Sequence, residues 1–347
     1  RDFISLKNLR KMDRLSAMTT ASVRMALEDA GIRVDDANRD RIGIVMGTAF
    51  GNTEHKVLSA RVLFTEGPER VSPLLVPNTV MNAPAGHASI EMGFRGVNTT
   101  VNHQAVSAET AIVYAAMEIR RGTADAILAG GGDILSPFYY EALTRFRALS
   151  PSGGGVEGAR PFDLNRNGPV AGEGCGIVCL ETMDSARRRG ATPYAEITGW
   201  GLGSSPAPPT AWPADPRGFL LTLDRALRMA GARAAEIDLV QAAANGGRAL
   251  DALEAASYER LFGRAGANPS ITSLKGATGE VFASGGVRAA ALALSLREGI
   301  VPPVVGLKNP LSRLPFVAGT AIRKPVHRAL LSGISFGGTY ACLVLEK

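Results

Sequence analysis

The chain has 347 residues, of which 46% are hydrophobic and 20% are charged. This length is enough to bury a large core and to hold two structural halves. No apolar run reaches the length of a membrane span and no signal peptide is visible, so we expect a cytoplasmic protein with no membrane partner.

The net charge of +6 raises the question of a nucleic-acid partner, but 38 basic residues are spread among 32 acidic ones. The longest basic run, Arg187-Arg188-Arg189, precedes Gly190 and is typical of a solvated helix C-terminus. We therefore expect no nucleic-acid partner. A modest basic surface would instead suit an acidic carrier protein, because opposite charges aid encounter.

The three cysteines, Cys175, Cys179 and Cys342, lie in apolar tracts typical of strands. An odd number in such tracts argues against a disulfide framework. The pair Cys175 and Cys179 has no companion ligands for zinc, so we expect buried packing and no metal.

Strand and helix patterns alternate along the chain up to about residue 190 and start again from Tyr194. The first stretch predicts a helix ending near Gly31, a strand over 42–46, a helix-like segment over 53–64, a helix through 117–121, and strands over 126–129 and 176–180. The second predicts a strand over 195–200, a Pro-rich loop over 206–216, a helix over 218–230, a strand over 239–242, helices over 250–261 and 287–296, and a strand over 342–345. This alternation favours a layered α/β architecture.

Several short motifs follow one another in a characteristic order. They are Arg10-Lys11-Met12-Asp13, Val71-Ser72-Pro73, Asn82 with Ala85-Gly86-His87, Leu128-Ala129-Gly130-Gly131-Gly132, and Arg160-Pro161-Phe162-Asp163 within a tract ending Glu173-Gly174. Each motif alone is weak. In this order and spacing, the chain resembles the β-ketoacyl-acyl carrier protein synthases, the ketosynthase branch of the thiolase superfamily. The last tract departs from the family pattern at Asn167 and Pro169.

The resemblance implies a thiolase-like α/β fold with two duplicated βαβαβαββ halves in a five-layered α-β-α-β-α arrangement. The N-terminal half would be residues 1–190 and the C-terminal half residues 191–347. Family members open with a strand, a Gly-rich turn and a helix before the segment that matches Arg10-Lys11-Met12. These opening elements are missing here, so we expect the first half to be incomplete at its start.

The resemblance also locates the family's active-site positions, most of which hold other residues. Ala105, in Val101-Asn102-His103-Gln104-Ala105, stands where ketosynthases carry the cysteine nucleophile at a helix N-terminus. Ala243 stands at the first histidine and Glu280 at the second, whereas Lys275 and Glu173 are retained. A methyl group holds no acyl thioester, and neither replacement donates a hydrogen bond to a developing enolate. Triple loss indicates natural degeneration rather than an engineered single-site trap.

Gln104 leaves one alternative open at the nucleophile position. Degenerate ketosynthases of the chain-length-factor type carry glutamine at the cysteine position, and here a glutamine lies one residue early. Counting from Gly96 aligns Ala105 with the cysteine, but a local shift in the turn would make Gln104 the replacement.

The resemblance predicts a catalytically silent chain-length factor that forms a heterodimer with an active ketosynthase, uses an acyl carrier protein and requires no cofactor. The alternatives are a homodimeric scaffold or acyl-binding protein and a residual malonyl decarboxylase using Gln104 or Lys275. Candidates for the wall of an acyl channel are Phe50, Thr53, Leu58 and Phe64. Phe336, in Gly333-Ile334-Ser335-Phe336-Gly337-Gly338, matches a phenylalanine that gates the acyl chamber in active enzymes, and here it is expected to be a fixed packing residue.

Overall fold

The computed structural model describes residues 3–347, which form two compact units that interleave along the chain. Unit 1 comprises the described residues up to Ala142 together with Glu173–Thr192 and Phe282–Val287. Unit 2 comprises Leu143–Gly172, Pro193–Val281 and Arg288–Lys347. The division into residues 1–190 and 191–347 stays a prediction.

Unit 1 is built on a four-stranded mixed sheet. Its helices are α1 (Leu6–Leu9), α2 (Arg14–Ala30), α3 (Thr53–Glu66), α4 (Ala83–Met92), α5 (Ser107–Arg120), α6 (Pro137–Arg145), the last residues of which belong to unit 2, and α7 (Met183–Arg188). Its strands are β1 (Ile42–Gly47), β2 (Asn98–Val101), β3 (Ala126–Asp133) and β4 (Gly174–Glu181). The strand order is β2-β1-β3-β4, with β4 antiparallel to its neighbour and the others parallel.

The local sequence accounts for the main elements of unit 1. Every residue of β1 is buried, as expected for a parallel strand covered on both faces. Helix α2 begins after Asp13, whose carboxylate accepts a hydrogen bond from the Ser16 amide at 2.9 Å, and ends at Gly31 with φ of 64°. The hydrophobic core includes Leu15, Val23, Leu27, Ile42, Ile44, Met46 and Leu128.

Unit 2 is built on a five-stranded sheet and a separate two-stranded pair. Its strands are β5 (Glu196–Ser204), β6 (Leu239–Gln241), β7 (Ser270–Thr272), β8 (Ile300–Val301), β9 (Ile322–Arg323), β10 (Arg328–Ile334) and β11 (Thr339–Glu346). Its helices are α8 (Arg217–Met229), α9 (Arg248–Ala265), α10 (Lys275–Thr278) and α11 (Gly285–Glu298), the last of which starts in unit 1. The large sheet has the order β5-β11-β10-β6-β7, and β8 pairs with β9.

The two large sheets share one topology. The series β2-β1-β3-β4 in unit 1 recurs as β7-β6-β10-β11 in unit 2, with three parallel strands followed by an antiparallel one. Unit 2 adds β5 beside β11, whereas β4 is an edge strand within the described part of unit 1. The predicted duplicated α/β fold is confirmed. No helix within residues 3–347 is both long and apolar enough to cross a membrane.

Candidate functional site

The turn between β2 and α5 in unit 1 carries Ala105. Residues Gln104–Val106 form one 3-10 turn, and α5 begins at Ser107. The Ser107 hydroxyl donates to the Gln104 carbonyl at 2.6 Å and accepts from the His103 amide at 2.9 Å. Ala105 is buried, so its methyl group packs against the protein interior. A methyl group cannot act as a nucleophile.

Close backbone packing fixes where this turn lies. A Cβ atom added to Gly47, the last residue of β1, would lie 2.4 Å from the Ser107 carbonyl carbon. Only glycine therefore lets the start of α5 approach β1 this closely. The Asn102 side-chain amide also donates to the carbonyls of Thr48 and Ala49, both at 2.8 Å, which ties the turn to the segment after β1.

Gln104 has the unusual backbone conformation within this turn. Its φ is +52°, in the left-handed region, whereas Ala105 is not among the residues with positive φ. This conformation costs a non-glycine residue about 1 to 2 kcal/mol and persists only where the surrounding contacts fix it. Strained strand-to-helix turns of this kind present a nucleophile in other enzymes. Counting residues along the sequence favoured Ala105 as the nucleophile position. The backbone conformation, which counting cannot predict, singles out Gln104 instead.

In unit 2, the loop after β6 carries Ala243 on a framework of buried carboxylates. Glu254 accepts hydrogen bonds from the amides of Ala243 at 2.9 Å and Ala244 at 2.8 Å. The same carboxylate accepts from the Tyr258 hydroxyl at 2.5 Å and the Ser332 hydroxyl at 2.6 Å. The loop is therefore rigidly held, but the side chain it presents at position 243 is a methyl group.

Asp251 holds the next two residues of the same loop. Its carboxylate accepts from the amides of Asn245 at 3.0 Å, Gly246 at 3.2 Å and Phe162 at 2.8 Å. Burial raises the pKa of Asp251 to about 7, although the bonds from Phe162 and Asn245 oppose the shift. No sequence pattern pointed to Asp251 as the anchor of this loop.

Lys275, Glu280 and Asn245 form a buried charged cluster in unit 2. The Lys275 Nζ atom lies 2.8 Å and 3.0 Å from the two Glu280 carboxylate oxygens, and Asn245 Nδ2 donates to Oε2 at 2.5 Å. The Lys275 and Glu280 side chains are only 2% and 3% exposed. Glu280 is also fixed through its backbone, because its amide donates to the Val170 carbonyl at 2.7 Å. Lys275 and Glu280 therefore neutralise each other.

Glu173 does not take part in that cluster. It belongs to unit 1, where it forms an ion pair with Arg14 and accepts from the Leu135 amide at 3.3 Å. The hydrogen bond from Arg14 lowers the pKa of Glu173. Since Arg14 is 59% exposed, this pair contributes little to stability.

The four predicted channel residues have two different environments. Phe50 packs against the rings of Tyr139, at a centroid distance of 4.2 Å, and Phe282, at 5.2 Å. Thr53 donates to the Ser136 hydroxyl at 2.7 Å, close to Tyr139 in sequence. Leu58 and Phe64 are 45% and 84% exposed on α3. Of the four, Phe50 packs in an aromatic cluster, Thr53 is held by a hydrogen bond, and Leu58 and Phe64 are exposed.

Phe336 packs edge-on against Trp212, with ring centroids 5.7 Å apart. The Gly337 amide donates to the Ala211 carbonyl at 2.9 Å, so the Pro-rich loop and the Phe336 loop are joined by backbone as well as side chain. This contact supports the packing role predicted for Phe336. Trp212 was missed because it lies far from Phe336 in the sequence.

No group of histidine, cysteine, aspartate or glutamate side chains in the described range 3–347 is arranged to hold a metal. Cys175, Cys179 and Cys342 are free thiols. Burial raises the pKa of Cys175 to about 11 and that of Cys179 to about 12, so neither is a thiolate near neutral pH.

The fold is a duplicated α/β fold, with a strained strand-to-helix turn in one unit and a lysine-centred cluster in the other. These features define a ketosynthase-like protein of the thiolase superfamily. Two family models match the chain: the β-ketoacyl synthase N-terminal domain at residues 2–186 and the C-terminal domain at residues 194–308. The chain therefore belongs to the β-ketoacyl synthase family, as the sequence motifs predicted.

Relatives and solved structures agree with this assignment. The chain is 35% identical to 3-oxoacyl-[acyl-carrier-protein] synthase 2 of Rhizobium meliloti (strain 1021), over 100% of this chain and 84% of that protein. It is 34% identical to the protein of the same name from Vibrio cholerae, over 99% of this chain and 85% of that protein. The solved structure described as the ishigamide ketosynthase/chain length factor has a TM-score of 0.90 and 28% identity, covering 100% of this chain and 85% of that chain.

Proposed function

We propose that this chain is a catalytically inactive ketosynthase-like subunit, a chain-length factor, that pairs with an active ketosynthase in a type II polyketide or polyene synthase. In this proposal the chain shapes the acyl tunnel, and the partner performs the condensation. One observation carries the proposal: the positions that the family resemblance assigns to the cysteine and the two histidines hold Ala105, Ala243 and Glu280, and Lys275 is bound to Glu280.

The chemistry of the cluster supports inactivity. Decarboxylative condensation needs hydrogen-bond donors directed at a developing enolate. Ala243 has no side-chain donor, and both oxygens of Glu280 accept from the Lys275 ammonium. The ammonium is thereby engaged by a carboxylate at hydrogen-bond distance. A negatively charged enolate would have to compete with that carboxylate for the same ammonium.

The comparisons support the assignment to a chain-length factor and a carrier-protein partner. One structural neighbour is described as a ketosynthase/chain length factor, and the similar enzymes of Rhizobium meliloti and Vibrio cholerae are named for acyl carrier protein. We extend both features to this chain, with the cytoplasm as its proposed location.

The surface of unit 1 supports a protein partner. Large apolar side chains are exposed on α3, on the segment that follows it and on α4: Phe64, Leu74, Val76, Val80 and Ile90. Contiguous apolar patches are typical of association surfaces, and we propose that these five side chains contribute to one. A second ketosynthase-like chain is the proposed occupant.

Residual malonyl decarboxylation is the second candidate function, and the backbone of Gln104 favours it. The left-handed conformation at Gln104 would place a side-chain amide, a hydrogen-bond donor, at the turn where active members carry their cysteine. A homodimeric scaffold that binds an acyl or carrier-protein thioester is the third candidate, since exposed apolar side chains also fit a second copy.

Co-expression with a candidate active ketosynthase, followed by size-exclusion chromatography and native mass spectrometry, tests the pairing. We expect a one-to-one heterodimer with an interface of the obligate type, which buries about 2,000 Å² or more. A stable homodimer that forms in preference to the heterodimer would favour the scaffold instead.

A further inference from the structure

The rings of Phe50, Tyr139 and Phe282 form a three-membered cluster in unit 1, which we call the aromatic wall. Each ring contacts the other two, and the Tyr139 and Phe282 centroids are 5.8 Å apart. All three side chains are partly buried rather than sealed in the core. The wall is thus neither sealed inside the core nor fully exposed.

Asp133, the last residue of β3, lies beneath this wall. It is 3% exposed and accepts from the Phe50 amide at 3.0 Å and from the Ala283 amide, which follows Phe282, at 3.0 Å. The Thr48 hydroxyl at 2.7 Å and the Ala49 amide at 3.1 Å complete its shell. One carboxylate therefore joins the chain segments that carry two of the three rings.

Further polar contacts hold the remaining parts of the wall. The Lys56 ammonium donates to the Phe50 carbonyl at 3.0 Å, so Phe50 is fixed at both its amide and its carbonyl. The Tyr139 amide donates to the Ser136 hydroxyl at 3.2 Å. Burial lowers the pKa of Lys56, and the charge of Asp133 opposes that shift.

A buried carboxylate with this many donors indicates a fixed geometry. Burial raises the pKa of Asp133, and the bonds from Phe50, Thr48, Ala283 and Ala49 oppose that shift. An unpaired buried charge is costly, so the donors and the carboxylate must stay together. An ordinary hydrophobic core would hold three rings in place without such a group.

We propose that Asp133 is a positioning residue that fixes the aromatic wall and thereby sets the length of acyl chain that the complex admits, with Lys56 holding Phe50 from its other side. This inference rests on the proposed chain-length function. It adds that the length limit depends on polar anchors beneath the rings as well as on the rings themselves.

The test uses Asp133→Asn, an isosteric change that replaces one acceptor oxygen by a donor, in the full chain reconstituted with its ketosynthase. Asp163→Asn is the matched control, because Asp163 is equally buried and accepts from the amides of Asn165, Lys308 and Asn309 at 2.7 to 2.8 Å but anchors no ring of the wall. Lys56→Met is a second variant that leaves the carboxylate in place.

Two readouts separate anchoring from function. Hydrogen exchange followed by NMR should show the Phe50 and Ala283 amides exchanging about tenfold faster or more in Asp133→Asn, as loss of a charge-assisted bond implies, and unchanged in Asp163→Asn. Product profiling should show a broader distribution with longer chains for Asp133→Asn and Lys56→Met. The Asp163→Asn complex should lose thermal stability but keep the wild-type distribution.

Unchanged exchange at Phe50 and Ala283, or faster exchange with a wild-type product distribution, overturns the inference while leaving the chain-length function intact. If Asp133→Asn does not fold, the product distribution of Lys56→Met tests the inference: a wild-type distribution overturns it, and longer chains support it. A wild-type heterodimer that makes no chain overturns the proposed function itself, and the inference with it.

Discussion

Lys275 and Glu280 form a buried ion pair, with Nζ 2.8 Å from Oε1 and both side chains almost fully inaccessible. The lysine alone would be an unpaired buried cation, and the glutamate alone an unpaired buried anion. Their pairing explains how the fold tolerates a carboxylate at this buried position. Both residues were singled out from the sequence, but their contact depends on the fold of α10 and the turn that follows it.

Breaking this pair from one side should destabilise the protein. Lys275→Met leaves the Glu280 carboxylate buried without its countercharge, and we expect the free energy of unfolding to fall by about 3 to 5 kcal/mol. The double variant Lys275→Met with Glu280→Leu should recover much of this loss. Urea unfolding of both variants measures the difference.

The control is Arg228→Met, which breaks the exposed pair between Arg228 and Asp224 on α8. It should change the free energy of unfolding by less than about 1 kcal/mol. Equal losses from the exposed and the buried pair, or additive losses in the double variant, would contradict the role assigned to the cluster.

Cysteine variants identify which residue occupies the nucleophile position. Gln104 is half-buried and left-handed, whereas Ala105 is buried, so we expect Gln104→Cys to be alkylated faster by iodoacetamide than Ala105→Cys. The wild type, with its three native cysteines, gives the background rate. Faster alkylation of Ala105→Cys would instead assign the nucleophile position to Ala105. Neither variant should condense, because malonyl activation still lacks both histidines.

The stability of the loop after β6 should depend on pH through Asp251. Because burial raises its folded pKa to about 7, the folded state binds a proton that the unfolded state releases near pH 4. This contribution to stability is fully present below about pH 4 and is lost as the pH rises through 7, up to about 4 kcal/mol in all. The difference in unfolding free energy between the wild type and Asp251→Asn should therefore shrink over that window.

Asp163→Asn provides a control of opposite sign. Burial favours a raised pKa at Asp163, but the amides of Asn309, Lys308 and Asn165 together lower it. Its contribution is present at neutral pH and is lost as the pH falls into the acid range. Parallel pH profiles for the two variants would show that the Asp251 assignment is wrong.

Phe50→Ala separates a channel wall from ordinary core. If Phe50 limits the tunnel, its removal opens volume, and the reconstituted complex should make longer chains while the heterodimer stays intact. In an ordinary core the same change costs about 3 to 5 kcal/mol without altering the products. Product profiling and a melting curve decide, and unchanged products with a large loss of stability would direct attention to Thr53, Leu58 and Phe64.

Most of the fold could be predicted from the sequence because apolar alternation and ordered motifs are local signals. Strand β1 was expected over 42–46 and extends to Gly47, and α9 runs from Arg248 to Ala265 rather than over 250–261. Helix ends depend on caps and packing, which local patterns specify poorly.

The candidate site was only partly predictable, since its parts meet through the fold. The replacements predicted at Ala105, Ala243 and Glu280 rest on residue identities and the order of motifs. The anchors Asp133 and Glu254 were missed because a buried aspartate or glutamate at the end of a strand or within a helix gives no distinctive pattern. Their function follows from which backbone amides they accept, and only the structure shows that.

The most direct test of the central claim is intact-protein mass spectrometry of the purified chain after incubation with an acyl-carrier-protein thioester, with carbon dioxide release from malonyl-carrier protein measured in parallel. The methyl groups at Ala105 and Ala243 and the paired Glu280 predict no acyl adduct and no carbon dioxide above background, while the partner ketosynthase gives both. A stable acyl adduct on the purified chain, or malonyl decarboxylation without the partner, would contradict the assignment as a catalytically silent subunit.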